Sequence, residues 1–203
     1  MIRNSRTALV AAVVILAASA LPALAAVENY TIDPAHSQVG FKIRHIVSKV
    51  PGRFTKFSGT IDGDPANLAT AKVSVEIEAA SIDTDNEQRD KHLRSADFFD
   101  VEKFPKLTFA STEVVPKGPG KATLMGNLTL HGVTKPVEID VDVLGFSPDP
   151  FGGYRGGFEG RTTINRKDFG IIWNKTLDAG GLLLGEDVEI TLNVEAVRQQ
   201  PKK

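Results

Sequence analysis

Residues 137–143 of the chain read VEIDVDV, an unbroken alternation of apolar and acidic side chains. Because successive side chains of a β-strand point to opposite faces, this segment predicts a strand with one apolar and one charged face. The same alternation recurs along the chain and predicts about eight such strands. Their apolar positions are Val39, Phe41 and Ile43; Phe57 and Ile61; Val73, Val75 and Ile77; Leu107 and Phe109; Leu124, Leu128 and Leu130; Val137, Ile139, Val141 and Val143; Phe158 and Ile164; and Val188, Ile190, Leu192 and Val194.

Closing these strands into a barrel leaves no unpaired sheet edge. A membrane barrel would turn its charged face inward, but an eight-stranded lumen is only just wide enough for side chains to fill. Charged residues make up 24% of this chain, too many for such a lumen. The chain also has only two Tyr and one Trp, too few for the aromatic girdles of membrane barrels. We therefore predict an all-β fold, a soluble eight-stranded antiparallel barrel with its apolar face inward.

A long charged segment interrupts this pattern at residues 81–105, which read SIDTDNEQRDKHLRSADFFDVEKFP. Structured loops of this length are uncommon in compact domains and are often functional. The segment contains a short helix candidate, which is expected to start at residues 84–85 and to end near residue 95. A turn is expected at Val50-Pro51-Gly52.

The first residues have the features of a secretory signal peptide. Arg3 and Arg6 precede an apolar run at residues 8–21, and Ala23-Leu24-Ala25 places small residues at a cleavage site. We predict a signal peptide at 1–25 that is cleaved on export to the periplasm.

The remaining chain is predicted to be one barrel domain at 26–198 with a disordered polar tail at 199–203. Cleavage would remove two arginines and change the formal net charge from −1 to −3, which predicts no binding to nucleic acid. The chain has no Cys, so thiol chemistry and a lipoprotein anchor are excluded. No integral membrane segment is expected in the mature chain, and the sequence leaves a homodimer open.

The chain also carries a series of ordered motifs. They are YTIDPAHSQVGFKIRH at 30–45, GRFTKFSG at 52–59, SIDT at 81–84, RDKHL at 89–93, DFFD at 97–100, FP at 104–105, GNLTLHGVT at 126–134 and RKDFG at 166–170. Together they resemble the YceI-like family of exported proteins. The resemblance implies a lipocalin-like barrel that holds a polyisoprenoid or similar lipid, such as an isoprenoid quinone, a polyprenyl phosphate or a fatty amide.

We accordingly predict a protein that binds, sequesters or transports such a lipid, is not an enzyme and has no cofactor or metal. The alternatives are a packed structural or envelope-stress protein without a physiological ligand, and a hydrolase or isomerase acting on the lipid. Inward-facing glycines favour a cavity, but glycines are equally expected where strands bend. The predicted apolar ligand contacts are Val39, Phe41, Ile43, Phe57, Val73, Val75, Leu107, Phe109, Leu128, Val141, Phe158 and Ile190.

Three polar residues are further candidates for ligand contact. His45 would bind a quinone carbonyl or phosphate oxygen at the rim, or hydrogen-bond a backbone group. Arg89 and His92 would face a polar head group, or, with Asp90, fix the helical segment to the barrel end.

Several aromatic and hydroxyl residues admit more than one interpretation. Phe98 and Phe99 are predicted to divide, one ring pointing inward, because neighbours in an extended chain face opposite ways. Trp173 is predicted to cap the barrel end or to fill the core. His36 and Ser37 suggest a hydrolase, but on a strand they would point apart and could not act together.

Overall fold

The computed structural model of the protein describes residues 27–178 and 180–200. The predicted signal peptide and residues 201–203 of the predicted tail lie outside these ranges. Within them, α1 spans Glu87–Arg94, short 3₁₀ helices span Pro34–His36, Ala79–Ser81 and Arg166–Phe169, and no helix is long and apolar enough to cross a bilayer. The strands are β1 (Glu28–Ile32), β2 (Gln38–His45), β3 (Ser48–Phe54), β4 (Phe57–Asp64), β5 (Asn67–Glu78), β6 (Ile82–Asp83), β7 (Lys106–Gly118), β8 (Lys121–Leu130), β9 (Val133–Pro148), β10 (Tyr154–Asn165) and β11 (Leu184–Arg198).

Eight of these strands close into an antiparallel barrel, which confirms the predicted fold class. Neighbours are hydrogen-bonded in the order β1-β4-β5-β7-β8-β9-β10-β11, and β1 also pairs with β11 to complete the circle. Tyr30 of β1 lies opposite Ile61 of β4 on one side and opposite Arg198 of β11 on the other. A strand of five residues therefore closes the barrel.

The hairpin of β2 and β3 extends the sheet beside the first part of β11. The alternation did not reveal β1, β3 or β6, and the turn predicted at Val50-Pro51-Gly52 was wrong, because these residues lie inside β3. On its other side β3 pairs only through Arg53 and Phe54, with β6. Pro51 is therefore at a sheet edge, where the N–H that it lacks is not needed.

The segment between β6 and β7 covers one end of the barrel. Helix α1 begins after Asn86, whose side chain accepts a first-turn backbone N–H at 2.9 Å, so the start predicted at residues 84–85 was slightly early. Thr84 cannot serve as the cap because its hydroxyl is bonded to Asp90. Arg94 ties the helix to the barrel by donating to the carbonyl oxygens of residues 80 and 82 at 2.8 and 2.7 Å.

The tightly packed core lies beneath this cap. Ile82 and Phe169 are almost completely buried, and Phe54 and Phe98 pack into the same cluster. The apolar interior elsewhere in the barrel is less tightly filled, as the cavity described below demonstrates.

Arg155, on the outer face of β10, holds the opposite end together. Its guanidinium donates to Asp33 at 2.8 Å, to Glu195 at 2.5 Å and to Asp149 at 2.9 Å. These bonds join the Pro34–His36 turn, β11 and the β9–β10 connection. The hydrogen bond from Arg155, and to a smaller extent the one with His36, lowers the pKa of Asp33 to about 2.

Replacing Arg155 by Met is expected to destabilise the fold in a pH-dependent way. A carboxyl whose pKa is lowered in the folded state contributes stability above its unfolded pKa, here 3.8, and that contribution is lost as the pH falls through the folded value of about 2. The deficit in the free energy of unfolding of Arg155→Met should therefore be constant near neutral pH and shrink between about pH 4 and pH 2. Urea unfolding across this range measures it.

Arg161→Met is the matched control, since Arg161 is a more exposed arginine on the same strand, 62% accessible, and should cost little. If Arg155→Met lowers the free energy of unfolding by the same amount at every pH, the ion pair between Arg155 and Asp33 does not stabilise the fold as described.

Candidate ligand cavity

The barrel encloses a cavity of about 520 Å³, within the range of about 300–1,000 Å³ that is usual for small-molecule sites. Inward-facing side chains from all the closing strands, together with β2 and β3, form its wall. Every residue predicted to contact a ligand borders this cavity, although contact with a ligand stays a prediction. These residues are Val39, Phe41, Ile43, His45, Phe57, Val73, Val75, Arg89, His92, Phe98, Phe99, Leu107, Phe109, Leu128, Val141, Phe158 and Ile190.

The inward side chains line the barrel without filling it. Phe41, Val75 and Ile190 point inward and border the cavity, yet they are only half-buried. A solid core would bury such residues almost completely, because protein interiors are close-packed. The interior therefore matches the expectation of a cavity better than that of a packed barrel.

Glycines opposite aromatic rings help to keep the cavity open. A Cβ added to Gly52 would lie 2.3 Å from Cζ of Phe41, and one added to Gly126 would lie 2.4 Å from Cζ of Phe109. Each ring thus lies flat over a glycine of the neighbouring strand. A larger residue beneath it would push the ring toward the lumen.

Five polar side chains border the cavity at the capped end, and they are His45, Thr84, Arg89, His92 and Arg166. Glu159 and Thr162 of β10 also border it. Arg89 and His92, both on α1, are exposed to solvent as well as bordering the cavity. The cavity therefore reaches the surface beside α1.

Thr84 is the shared partner of two charged residues of α1. Its hydroxyl and its backbone N–H donate to Asp90 at 2.5 and 2.9 Å. Arg89 donates to the hydroxyl and to the carbonyl oxygen of Thr84, both at 2.7 Å. This network fixes the cap to the chain leaving β6, as one of the two sequence interpretations expected, while Arg89 still borders the cavity.

An aromatic cluster closes the barrel next to this network. His92 meets Phe98 and Trp173 edge-on, at centroid distances of 5.0 and 4.9 Å, and its Nε2 pairs with Asp97 at 2.9 Å. Trp173 therefore lies at the barrel end, one of its two predicted positions. Phe98 and Phe99 both border the cavity, so the prediction that only one ring points inward was wrong. The chain turns here instead of running extended, and both rings can face the interior.

Arg166 is a cavity-bordering residue that was not among the predicted contacts. It is 3% exposed and donates to the carbonyl oxygens of Gly185, Ile171 and Trp173 at 2.7–2.9 Å. Within the described residues its Nη2 has no hydrogen-bond partner. Burial lowers the pKa of the Arg166 guanidinium below its usual value. Alternation could not reveal a residue in a 3₁₀ helix, and the RKDFG motif was the only signal for it.

The hydrolase candidates lie at the other end of the barrel. His36 is in a 3₁₀ helix, so the premise that it lies on a strand was wrong. Ser37 is nevertheless bound elsewhere, because its hydroxyl bridges the backbone carbonyl and N–H of Glu195 at 3.2 and 2.9 Å. Asp33, His36 and Glu195 are close enough together for a metal ion. The guanidinium of Arg155 already binds the carboxylates of Asp33 and Glu195.

The chain thus belongs to the class of small closed antiparallel β-barrels with an apolar cavity and a helical cap, an architecture that can hold one ligand. Residues 30–196 match the YceI-like domain, and the chain belongs to this family. It is 42% identical over 191 residues to a UPF0312 protein of Vibrio cholerae, covering 93% of this chain and 97% of that protein. It is 44% identical over 202 residues to a UPF0312 protein of Ectopseudomonas mendocina, covering 98% and 100%.

Solved structures share the fold. BcnA of Burkholderia cenocepacia matches with a TM-score of 0.72 and 26% identity over 81% of this chain and 98% of that one. A Campylobacter jejuni YceI protein matches with a TM-score of 0.69 and 34% identity over 83% and 96%. A polyisoprenoid binding domain from Saccharophagus degradans, implicated in plant cell wall breakdown, matches with a TM-score of 0.64 over 84% and 98%, but at 16% identity. That last likeness shows the fold alone.

Gly52→Ala is expected to narrow the cavity, because the new methyl group would displace the Phe41 ring. The protein should keep its circular-dichroism spectrum and bind an isoprenoid quinone in detergent solution several-fold more weakly, since overpacking forces side chains out of position. Adding Phe41→Leu should restore binding.

Gly157→Ala is the matched control, because its methyl group would meet only ordinary contacts, the nearest at 3.5 Å from Leu144. Unchanged binding by Gly52→Ala would show that this ring does not border the occupied space.

Proposed function

We propose that the protein binds a long isoprenoid-type lipid inside the barrel and sequesters or carries it in the periplasm without changing it chemically. An isoprenoid quinone and a polyprenyl phosphate are the head-group classes that fit. The observation that carries the proposal is an apolar cavity of about 520 Å³ with most of its polar residues at the capped end. This separation of apolar and polar lining residues suits an amphiphile with its tail along the barrel and its head group beside α1.

The energetic cost of an unfilled cavity favours a ligand over a packed structural role. Cavities left in protein cores cost about 24 cal/mol per Å³. An unfilled lumen of about 520 Å³ lacks packing contacts along its whole apolar wall. An apolar guest that fills this space offsets the cost.

The apolar wall also supplies the driving force for binding. Burial of each CH₂ contributes about 0.8 kcal/mol, so a few isoprene units already provide ample affinity. Ordering of the chain offsets part of this sum. A wall of this kind selects a ligand by length and apolarity, and the choice of head group falls to the residues at the capped end.

Binding of the lipid head group is assigned to His45, Arg89 and His92. Arg89 and His92 stand where the cavity reaches the surface, and they can donate hydrogen bonds to carbonyl or phosphate oxygens. Both residues are also held by neighbours, Arg89 by Thr84 at 2.7 Å and His92 by Asp97 at 2.9 Å. These contacts fix the two side chains beside the mouth, as a binding site requires.

Two further observations support the proposal. A structure with the same fold, from Saccharophagus degradans, is named as a polyisoprenoid binding domain. The N-terminal pattern of Arg3, Arg6 and the apolar run at residues 8–21 is typical of export.

Organic extraction of the protein purified from its native compartment, followed by mass spectrometry, is expected to release about one isoprenoid lipid per chain. Removing this lipid should lower the melting temperature by about 5–10 °C, and adding it back should restore the value, because a ligand present well above its Kd stabilises the folded state. A lipid-free extract from natively folded protein would contradict the proposal.

Val75→Trp is expected to reduce the extracted lipid by about tenfold, because the new ring occupies the cavity while the strand pairing remains. Ser74→Trp is the matched control, since Ser74 is exposed on the other face of β5 and should retain the lipid. Full lipid content in Val75→Trp would overturn the assigned inward face.

A further inference from the structure

Four exposed apolar residues surround the capped end of the barrel and are called the rim cluster. They are Ile46, Val47, Ile172 and Leu182. Val47 is 95% exposed and Ile172 is 69% exposed. Single exposed apolar residues are ordinary on protein surfaces, so the significance of these four depends on their position.

Two connections bring the members of the rim cluster together. Ile46, at the tip of the β2–β3 hairpin, donates its backbone N–H to the carbonyl oxygen of Leu183 at 3.0 Å, next to Leu182. Arg166 binds the carbonyl oxygens of Trp173 and Gly185, which brings the residue before Trp173 close to the start of β11. The cluster therefore belongs to one end of the molecule.

The rim cluster continues the apolar surface of the cavity to the outside. Three of its four members are chain neighbours of residues that border the cavity: His45 precedes Ile46, Trp173 follows Ile172, and Leu183 follows Leu182. Because the cavity reaches the surface at this end, its mouth is flanked by exposed apolar side chains.

The hairpin tip gains no stability from its two members of the rim cluster. His45 pairs with Ser48, which leaves Ile46 and Val47 as a two-residue loop. Ile46 has a φ of +50°, a conformation that favours Gly, Asn or Asp and is strained for a β-branched side chain. Two exposed β-branched residues in such a turn are unfavourable for both solvation and backbone conformation. Backbone strain of this kind motivates a functional explanation.

We propose that the rim cluster is a membrane-docking surface that inserts into the bilayer interface and places the cavity mouth on the lipid source. This inference rests on the proposed function and names its partner. A lipid with a long isoprenoid tail resides in membranes, so its carrier must collect it there. Four side chains fall far short of the 20–30 residues or so that each partner contributes to a stable protein interface, which disfavours a second copy as the occupant.

Apolar insertion, rather than charge, is expected to dominate this contact. Exposed residues of both charges flank the rim cluster. Arg44 and Lys175 are positive, and Asp178 and Asp187 are negative. Interfacial binding strength scales with the apolar area that is buried. Docking should therefore occur on phosphatidylcholine vesicles and depend weakly on salt.

Co-sedimentation with phosphatidylcholine vesicles tests the surface. The double variant Ile46→Asn/Val47→Ser should bind vesicles at least about tenfold more weakly than the wild type, because two apolar side chains no longer insert. It should melt at the same or a higher temperature, since Asn suits the turn. Phe151→Ser removes an equally exposed ring, 95% accessible, at the opposite end and should leave vesicle binding unchanged.

Three outcomes would overturn the inference: vesicle binding by the double variant equal to the wild type, equal loss in Phe151→Ser, or a wild-type dimer that the double variant dissociates. A second readout separates this inference from the proposed function. The double variant should still bind an isoprenoid quinone in detergent solution while extracting it slowly from vesicles. Loss of binding by the wild type in detergent would instead reject the proposed function.

Discussion

The pairing of β1 with both β4 and β11 is the contact on which the rest of the structure depends. β1 has only five residues, yet it satisfies the sheet on two sides and turns a curved sheet into a closed wall. Closure gives every alternating strand a defined inside and outside, so one set of residues forms a continuous apolar surface. Arg155 fixes the chain just after β1 to β11, which places an ion-pair network beside the closing contact.

Closure alone would allow the whole interior to pack solid. In this chain one part of the interior is a packed core and the other part is an open cavity. Large side chains such as Phe98 and Phe169 fill the capped end, while glycines beneath Phe41 and Phe109 let those rings lie against the wall. Most of the polar lining residues lie where the cap meets the cavity. These placements give an apolar lumen with most of its polar side chains near the mouth, and the exposed apolar residues of the rim cluster flank that mouth on the outer surface.

The sequence predicted the face of each long strand because a one-residue shift in register would expose the whole apolar set. Elements shaped by tertiary contacts were not predictable in the same way. Pro51 and Gly52 look like a turn locally, but pairing with β2 makes them a strand. Phe98 and Phe99 lie in a turn, where the rule of alternation does not apply, and Arg166 lies in a 3₁₀ helix. The volume of the cavity depends on how side chains pack, which periodicity does not report.

A crystal structure of the protein purified from its native compartment would show most directly whether a lipid occupies the barrel. Continuous elongated density is expected along the barrel beside Val75 and Phe109, with a polar head group within hydrogen-bond distance of Arg89 or His92. Ordered water alone along this path, or an interior closed by repacked side chains, would contradict the proposed function.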